Sequence, residues 1–149
     1  RWGFAKVYDR CTAANAIDFM REIIGRAPFD ILAIRTDQGS EVSKQFTKAC
    51  LEENILHIRN RVKTPRHNGK VERFHRTVQE ECLWYHWHSK LTPEEAQYRL
   101  TQFLAFYNFR RHHQGLGMDG RTPNQQLIRW VNINIYKLHV KRNMILYNS

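Results

Sequence analysis

The stretch Thr36-Asp37-Gln38-Gly39-Ser40-Glu41, with the later run Thr64-Pro65-Arg66-His67-Asn68-Gly69-Lys70-Val71-Glu72-Arg73-Phe74-His75-Arg76, decides how this chain folds. Asp37 follows an apolar run, Ile31 to Ile34, which places it at the carboxyl end of a buried strand. Open α/β sheets hold their reactive groups at that end. Glu72 falls just after Asn68-Gly69, in the first turn of a strongly patterned helix. Val71, Phe74, Val78, Cys82 and Tyr85 recur there at helical spacing and form one apolar stripe. Glu72 lies off the stripe, on a flank shared with His75, Arg76 and Gln79. Two carboxylates brought together across a sheet make a divalent-metal site, and Lys70, Arg73 and Arg76 around the second suit an approaching polyanion.

A third motif follows, Phe106-Tyr107-Asn108-Phe109-Arg110-Arg111-His112-His113-Gln114-Gly115-Leu116-Gly117, with Thr122-Pro123 after it. Taken in this order the three motifs resemble the catalytic core of DDE transposases and retroviral-type integrases, in particular the integrase-like transposases of bacterial insertion sequences. The likeness spans roughly residues 1–128, and three ordered motifs carry far more weight than any one of them. It implies an α/β, ribonuclease H-like fold and the cutting and joining of DNA ends. It further implies two Mg²⁺ or Mn²⁺ ions held by three acids, with DNA (element ends and target) as partner and a homo-oligomer assembled on it. By this resemblance Asp37 is the second acid and Glu72 the third, both catalytic and both metal ligands.

The family's first acid lies on a strand upstream of the segment that Trp2 to Asp9 resembles, and no residue here matches it. The resemblance therefore supplies two acids of three and a core lacking the family's first two strands. Those strands lie between the family's third and fourth, so Trp2 to Tyr8 and Ile31 to Thr36 are not expected to be neighbours. A split core with open backbone edges is unfavourable, which implies a fragment of a longer polypeptide or the product of a damaged gene. Gln38 stands where the family usually has Asn, Val42 where Phe often anchors a helix, and His112 where Pro is common.

The DNA-facing candidates are Lys63, Arg66, His67 and Asn68 in the loop before Glu72, Lys70, Arg73 and Arg76 on the helix, and Arg110 and Arg111 in the third motif. A basic loop beside an acid suits DNA, although an ordinary exposed connector has the same composition. Arg110, Arg111, His112 and His113 match the family's basic segment, and cations are also favoured at any helix C-terminus. Trp84, Tyr85 and Trp87 either stack on unpaired bases or, more commonly, pack a helix end. Cys82, His86 and His88 fit no zinc spacing.

Composition agrees with a polyanion partner. The 149 residues carry 24 Lys and Arg against 14 Asp and Glu, a net charge of +10 spread along the chain and not gathered in a tail. No apolar run approaches membrane-spanning length, and three isolated cysteines fit a reducing compartment. These features and the resemblance imply a cytoplasmic, nucleoid-associated protein that makes no use of a membrane.

In chain order, Trp2 to Tyr8 reads as a strand. Thr12 caps a helix through Ile24, closed by Gly25. Ser43 caps a second helix with Phe46, Ala49 and Cys50 inward, ending near Asn54, before a strand over Ile55 to Arg59. Thr92-Pro93-Glu94-Glu95 is a capping box opening a helix to Asn108, with Ala96, Leu100, Phe103, Leu104 and Tyr107 inward. Thr122-Pro123 starts a short helix toward Trp130, and residues 131–149 alternate like a strand or a loose tail. The domains are thus a partial catalytic core over 1–130 and an unassigned tail over 131–149. Beside the transposase, three other activities stay open: an inactive DNA-binding or self-associating remnant, a general basic nucleic-acid binder, and a ribonuclease H-like nuclease.

Overall fold

Short α/β connections predict strands and helices in alternation, and that order is observed from α1 to β2, with only helices following among the described residues. The computed structural model describes residues 2–39, 41–60, 69–84 and 91–146. In chain order it contains α1 (Ala13–Arg26), β1 (Ala33–Thr36), α2 (Lys44–Glu52), β2 (Leu56–Arg59), α3 (Gly69–Val78), α4 (Pro93–Phe109) and α5 (Pro123–Leu146). The chain divides into two compact units, residues 6–98 and residues 1–5 with 99–149.

In the first unit β1 and β2 pair in parallel, Ala33 opposite Leu56 and Thr36 opposite Arg59. Parallel neighbours need a crossover, and α2 supplies it. Met20 of α1 meets Phe46, Ala49 and Cys50 of α2, with Val42 and Ile55, in one core against which Ile17, Ile24, Ile31 and Ile34 pack. The Cys50 thiol lies 3.3 Å from the Met20 sulfur, and burial pushes its pKa up, so it is a packing residue and not a thiolate.

Local signals explain the helix ends. The Thr12 hydroxyl accepts from the Asn15 amide, as an N-cap should. At the other end α1 runs past Gly25 to Arg26 and stops because Ala27, preceding Pro28, is held extended. Gly25 therefore does not close the helix as expected. Ser43 occupies the N-cap position of α2, but its hydroxyl is buried and makes no capping bond among the described residues. Asn54 takes a left-handed turn (φ 57°) that reverses the chain into β2.

Two strand expectations are corrected. Residues 2–8 form no strand, and among the described residues no strand pairs with them. Instead side chains satisfy part of that backbone, with the Val7 amide donating to Gln97 Oε1 at 2.8 Å. β1 is not a buried strand either: Ala33 and Arg35 are exposed and Leu32 is 79% exposed. Exposure alternates along the strand, so among the described residues alternate side chains face outward.

The capping box opens α4 as read, with the Thr92 amide donating to Glu95 Oε2 and the Glu95 amide to Thr92 Oγ1. Leu100, Phe103, Leu104 and Tyr107 are buried, and Ala96 is half-buried. A second reciprocal cap, Thr122 with Gln125, starts α5 at Pro123. α5 then continues for 24 residues to Leu146, where a short helix followed by a strand or loose tail was expected. The sequence there satisfies both periods, since Ile128, Val131, Ile135, Leu138 and Ile145 also recur at helical spacing. With neither Gly nor Pro after Pro123, nothing terminates the helix. No helix among the described residues is long and apolar enough to cross a membrane.

Candidate active site

Asp37 follows β1 directly, at the carboxyl end of the strand, and is exposed. Its Oδ1 accepts the Gly39 amide at 3.2 Å, an Asx-type turn that fixes one carboxylate oxygen. The Gly39 carbonyl accepts from Val42, and Gln38 Nε2 donates to the Asn60 carbonyl across the end of the sheet. A Cβ at position 39 would overlap the Glu41 carboxylate, so glycine lets a second acid fold over the same turn. Sequence reading did not single out Glu41.

The backbone behind Asp37 is tied down by a chain of side-chain hydrogen bonds that sequence reading also missed. Thr36 Oγ1 donates to the Asp37 carbonyl at 3.0 Å and lies 2.9 Å from His57 Nε2. The other ring nitrogen, Nδ1, lies 2.9 Å from Thr47 Oγ1. With the Thr36 proton committed to the carbonyl, the consistent assignment is Nε2–H donating to Thr36 and Thr47 donating to Nδ1. Burial, and then the nearby Arg59 guanidinium, hold the His57 pKa below its ordinary range, so this neutral tautomer prevails at pH 7. Phe46 packs its ring edge-on against the imidazole at 5.1 Å. The only signal in the sequence was a histidine interrupting an apolar strand.

Glu72 is exposed in the first turn of α3, where a carboxylate is favoured by the helix dipole. Lys70, Arg73, His75 and Arg76 are exposed on the same helix, and Arg73 Nε donates back to the Gly69 carbonyl at 3.1 Å. Of the described residues of the expected stripe, Val78 is buried, Phe74 and Cys82 are half-covered and Val71 is 53% exposed. Val71 sits in the opening turn, and burial of the stripe increases from there to Val78. After Val78 the helix widens into a π-turn over Gln79–Leu83. Trp84 beyond it is 67% exposed, while Tyr85 and Trp87 lie outside the described residues, as do Lys63, Arg66, His67 and Asn68.

The second unit holds Arg110 and Arg111. Arg110 is exposed, whereas the Arg111 guanidinium lies over the Tyr107 ring at 5.9 Å with Nη1 3.4 Å from His113 Nδ1. His113 is itself buried, edge-on to Tyr107 at 4.8 Å, and its backbone pairs with Gly120 and Arg121. The structure thus places Asp37 and Glu72 in one unit and this basic segment in the other. Among the described residues no three His, Cys, Asp or Glu side chains gather as a metal-holding group.

The integrase core domain family matches residues 53–123, from the end of α2 through Pro123. The chain is 35% identical over 140 residues, covering 83% of its length, to the provisionally named integrase ORF3 of Spiroplasma virus SpV1-C74. This chain carries an integrase-type core. The integrase-like core is also 32% identical over 95 residues, 63% of the chain, to the uncharacterized 39.2 kDa protein of insertion element IS476 from Xanthomonas euvesicatoria. These matches span 38% and 26% of the two relatives, so the chain corresponds to well under half of either.

Solved structures place the core in the ribonuclease H-like fold. It is similar to the catalytic core domain of BIV integrase (TM-score 0.62, 23% identity, 93% of this chain and 81% of that one). It is also similar to the HTLV-2 integrase catalytic core domain, solved with magnesium in a trimeric form (TM-score 0.58, 21% identity, 78% of this chain and 70% of that one). A third neighbour belongs to a simian T-cell lymphotropic virus intasome (TM-score 0.65, 23% identity, 80% of this chain and 41% of that one).

Proposed function

We propose that this core belongs to a transposase that cuts DNA at the ends of a mobile element and joins those ends to a target. The observation that supports it best is the setting of Asp37. A carboxylate directly after a parallel strand, with one oxygen anchored by Gly39 and the strand end braced by Thr36 and His57, is a preorganised ligand. Glu72, exposed in the first turn of α3, brings the second carboxylate.

The donor chemistry fits Mg²⁺ or Mn²⁺, since both groups are accessible hard oxygens and neither carries a cationic partner among the described residues. Two such ions, with a further carboxylate, would neutralise charge at the phosphorus during in-line transfer. The chain's own contribution is to hold its two carboxylates on a strand end and a helix start. Lys70, Arg73, Arg76 and Arg110, with Lys63, Arg66, His67, Asn68 and Arg111, would position the DNA backbone. The magnesium of the HTLV-2 core and the intasome assembly of the simian virus protein support metal use and a homo-oligomer on DNA. The site of action would be the nucleoid, in the cytoplasm.

The second reading is an inactive DNA-binding or self-associating remnant. It is favoured by the departures at Gln38, Val42 and His112 from the residues the family usually carries there. Strand transfer by the longer protein, assayed with element-end DNA and Mg²⁺, separates the two. The transposase reading expects joined product that Asp37→Asn or Glu72→Gln reduces to background while DNA binding persists. Binding without product in the unaltered protein, across Mg²⁺ and Mn²⁺, would establish the remnant instead. Degradation of RNA in hybrids without joining would point to a nuclease.

A further inference from the structure

Lys44, Thr47, His57 and Arg59 line an open groove of about 320 Å³ between α2 and β2, sharing Thr47 and His57 with the hydrogen-bond chain behind Asp37. No acid lines it, and among the described residues neither Lys44 nor Arg59 pairs with a carboxylate. Two cations left without a counter-charge in one concavity repel each other, a cost that an anion removes.

The groove is built and not a chance meeting of surface chains. Arg59 Nη2 donates to the Val42 carbonyl at 2.7 Å and reaches Thr47 Oγ1 at 3.4 Å, which fixes the guanidinium against α2. Thr47 is held in turn by His57, and His57 by Thr36. Only the Lys44 side chain is free to swing, so a ligand here would order one flexible group and find the rest in place.

We infer that this groove takes a phosphodiester group of bound DNA, a contact separate from Asp37 and Glu72. Tetrahedral oxyanions suit a guanidinium fork beside an ammonium, and the net charge of +10 favours a polyanion over an acidic protein as the source. The imidazole adds a responsive element: negative charge beside it favours the protonated ring, which the empty groove disfavours. The proposal rests on the reading of this protein as DNA-binding, and it names where one backbone phosphate is held.

The test is the salt dependence of duplex DNA binding by the full chain, compared with Lys44→Gln and Lys48→Gln. Lys48 lies one helical turn further on, within 3.9 Å of Glu52, and controls for loss of one charge from the same helix. Each phosphate contact contributes about 0.9 to the slope of log affinity against log salt. Lys44→Gln should lower that slope by about one and weaken binding several-fold at ~0.1 M salt, with Lys48→Gln unchanged. NMR titration of the His57 ring is the second readout: DNA should raise its pKa in the unaltered chain and much less in Lys44→Gln. Steep salt-dependent binding with the two variants indistinguishable, or a His57 ring blind to DNA, would overturn the groove and leave the DNA-binding reading standing. An unaltered chain that binds no DNA would overturn both.

Discussion

Asn108 grips Gly3 at both ends of one residue's backbone. Its Oδ1 accepts the Gly3 N–H and its Nδ2 donates to the Gly3 carbonyl, each at 2.8 Å. The side-chain amide does for Gly3 what a neighbouring strand would do, and at 4% exposure no water substitutes for it. Asn108→Ala should therefore cost about 1–3 kcal/mol for each orphaned group, read by urea unfolding. Asn108→Asp keeps the acceptor, loses the donor and buries a charge. Its carboxyl pKa should rise above the ordinary range, so that variant should regain stability as the pH falls through the raised value and lose it again toward neutrality.

Lys6, Tyr8 and Glu22 surround Asp18 or its partners in the first unit. Tyr8 Oη donates to Asp18 Oδ2 at 2.6 Å and Lys6 Nζ to the same oxygen at 2.8 Å, and Lys6 also pairs with Glu22. The Lys6 hydrogen bond, then that of Tyr8, holds the Asp18 carboxyl below the usual range. A depressed folded pKa means stability present above about pH 4 and lost as the pH falls through the folded value. Asp18→Asn should be less stable than the unaltered chain at pH 7, with the difference closing in acid. At the alkaline end, burial and then the Asp18 hydrogen bond push the Tyr8 phenol up to about 12. Absorbance titration should show one late-ionising tyrosinate, absent in Tyr8→Phe, and its contribution to stability should fade as the pH rises from ~10 through that value.

His57→Phe keeps a ring against Phe46 but cannot join Thr36 to Thr47. About 1 kcal/mol of stability should go, by thermal or urea unfolding, and with it the acid sensitivity that a histidine held neutral confers. Because the folded pKa is lowered, the unaltered chain should weaken as the pH drops below the ordinary imidazole range, and the variant should not.

The loop before α5 turns on backbone geometry. Gly117 (φ 76°) and Gly120 (φ 72°) are left-handed, and an added Cβ at either would meet nothing within 4 Å. Gly120→Ala should thus cost ~1 kcal/mol from conformation alone. Asp119 is left-handed too (φ 48°) and is held by Arg121 and Arg129, so Asp119→Ala should lose both ion pairs for a similar small cost.

How much of this was legible beforehand divides along physical lines. Elements set by nearest neighbours were readable: the Thr12 and Thr92 caps, the inward face of α2 and the strand over Leu56–Arg59 all appear where local rules place them. Elements that depend on what covers them were not. Trp2 to Tyr8 has a strand's pattern but no partner strand among the described residues, and Val71 has a core residue's spacing but an uncovered position. Residues 131–146 satisfied two periods at once, so the missing stop signal and not the pattern decided. Around the candidate site, Asp37 and Glu72 stand out as candidates through their motifs, whereas the Thr36, His57 and Thr47 chain joins three separate elements and leaves no mark in any one of them.

The π-turn at Gln79–Leu83 sets the rotational phase between Glu72 and Trp84. A π-turn holds one residue more than the α-turn it replaces, and each helical residue advances the chain by about 100°. Deleting one residue from that segment would let it relax into a straight helix with the phase on either side nearly kept, whereas straightening it with every residue retained would turn the helix end by roughly that angle. The bulge thus works as an indexing notch, and a substitution that straightened it would re-aim the helix end further than the loss of one residue there.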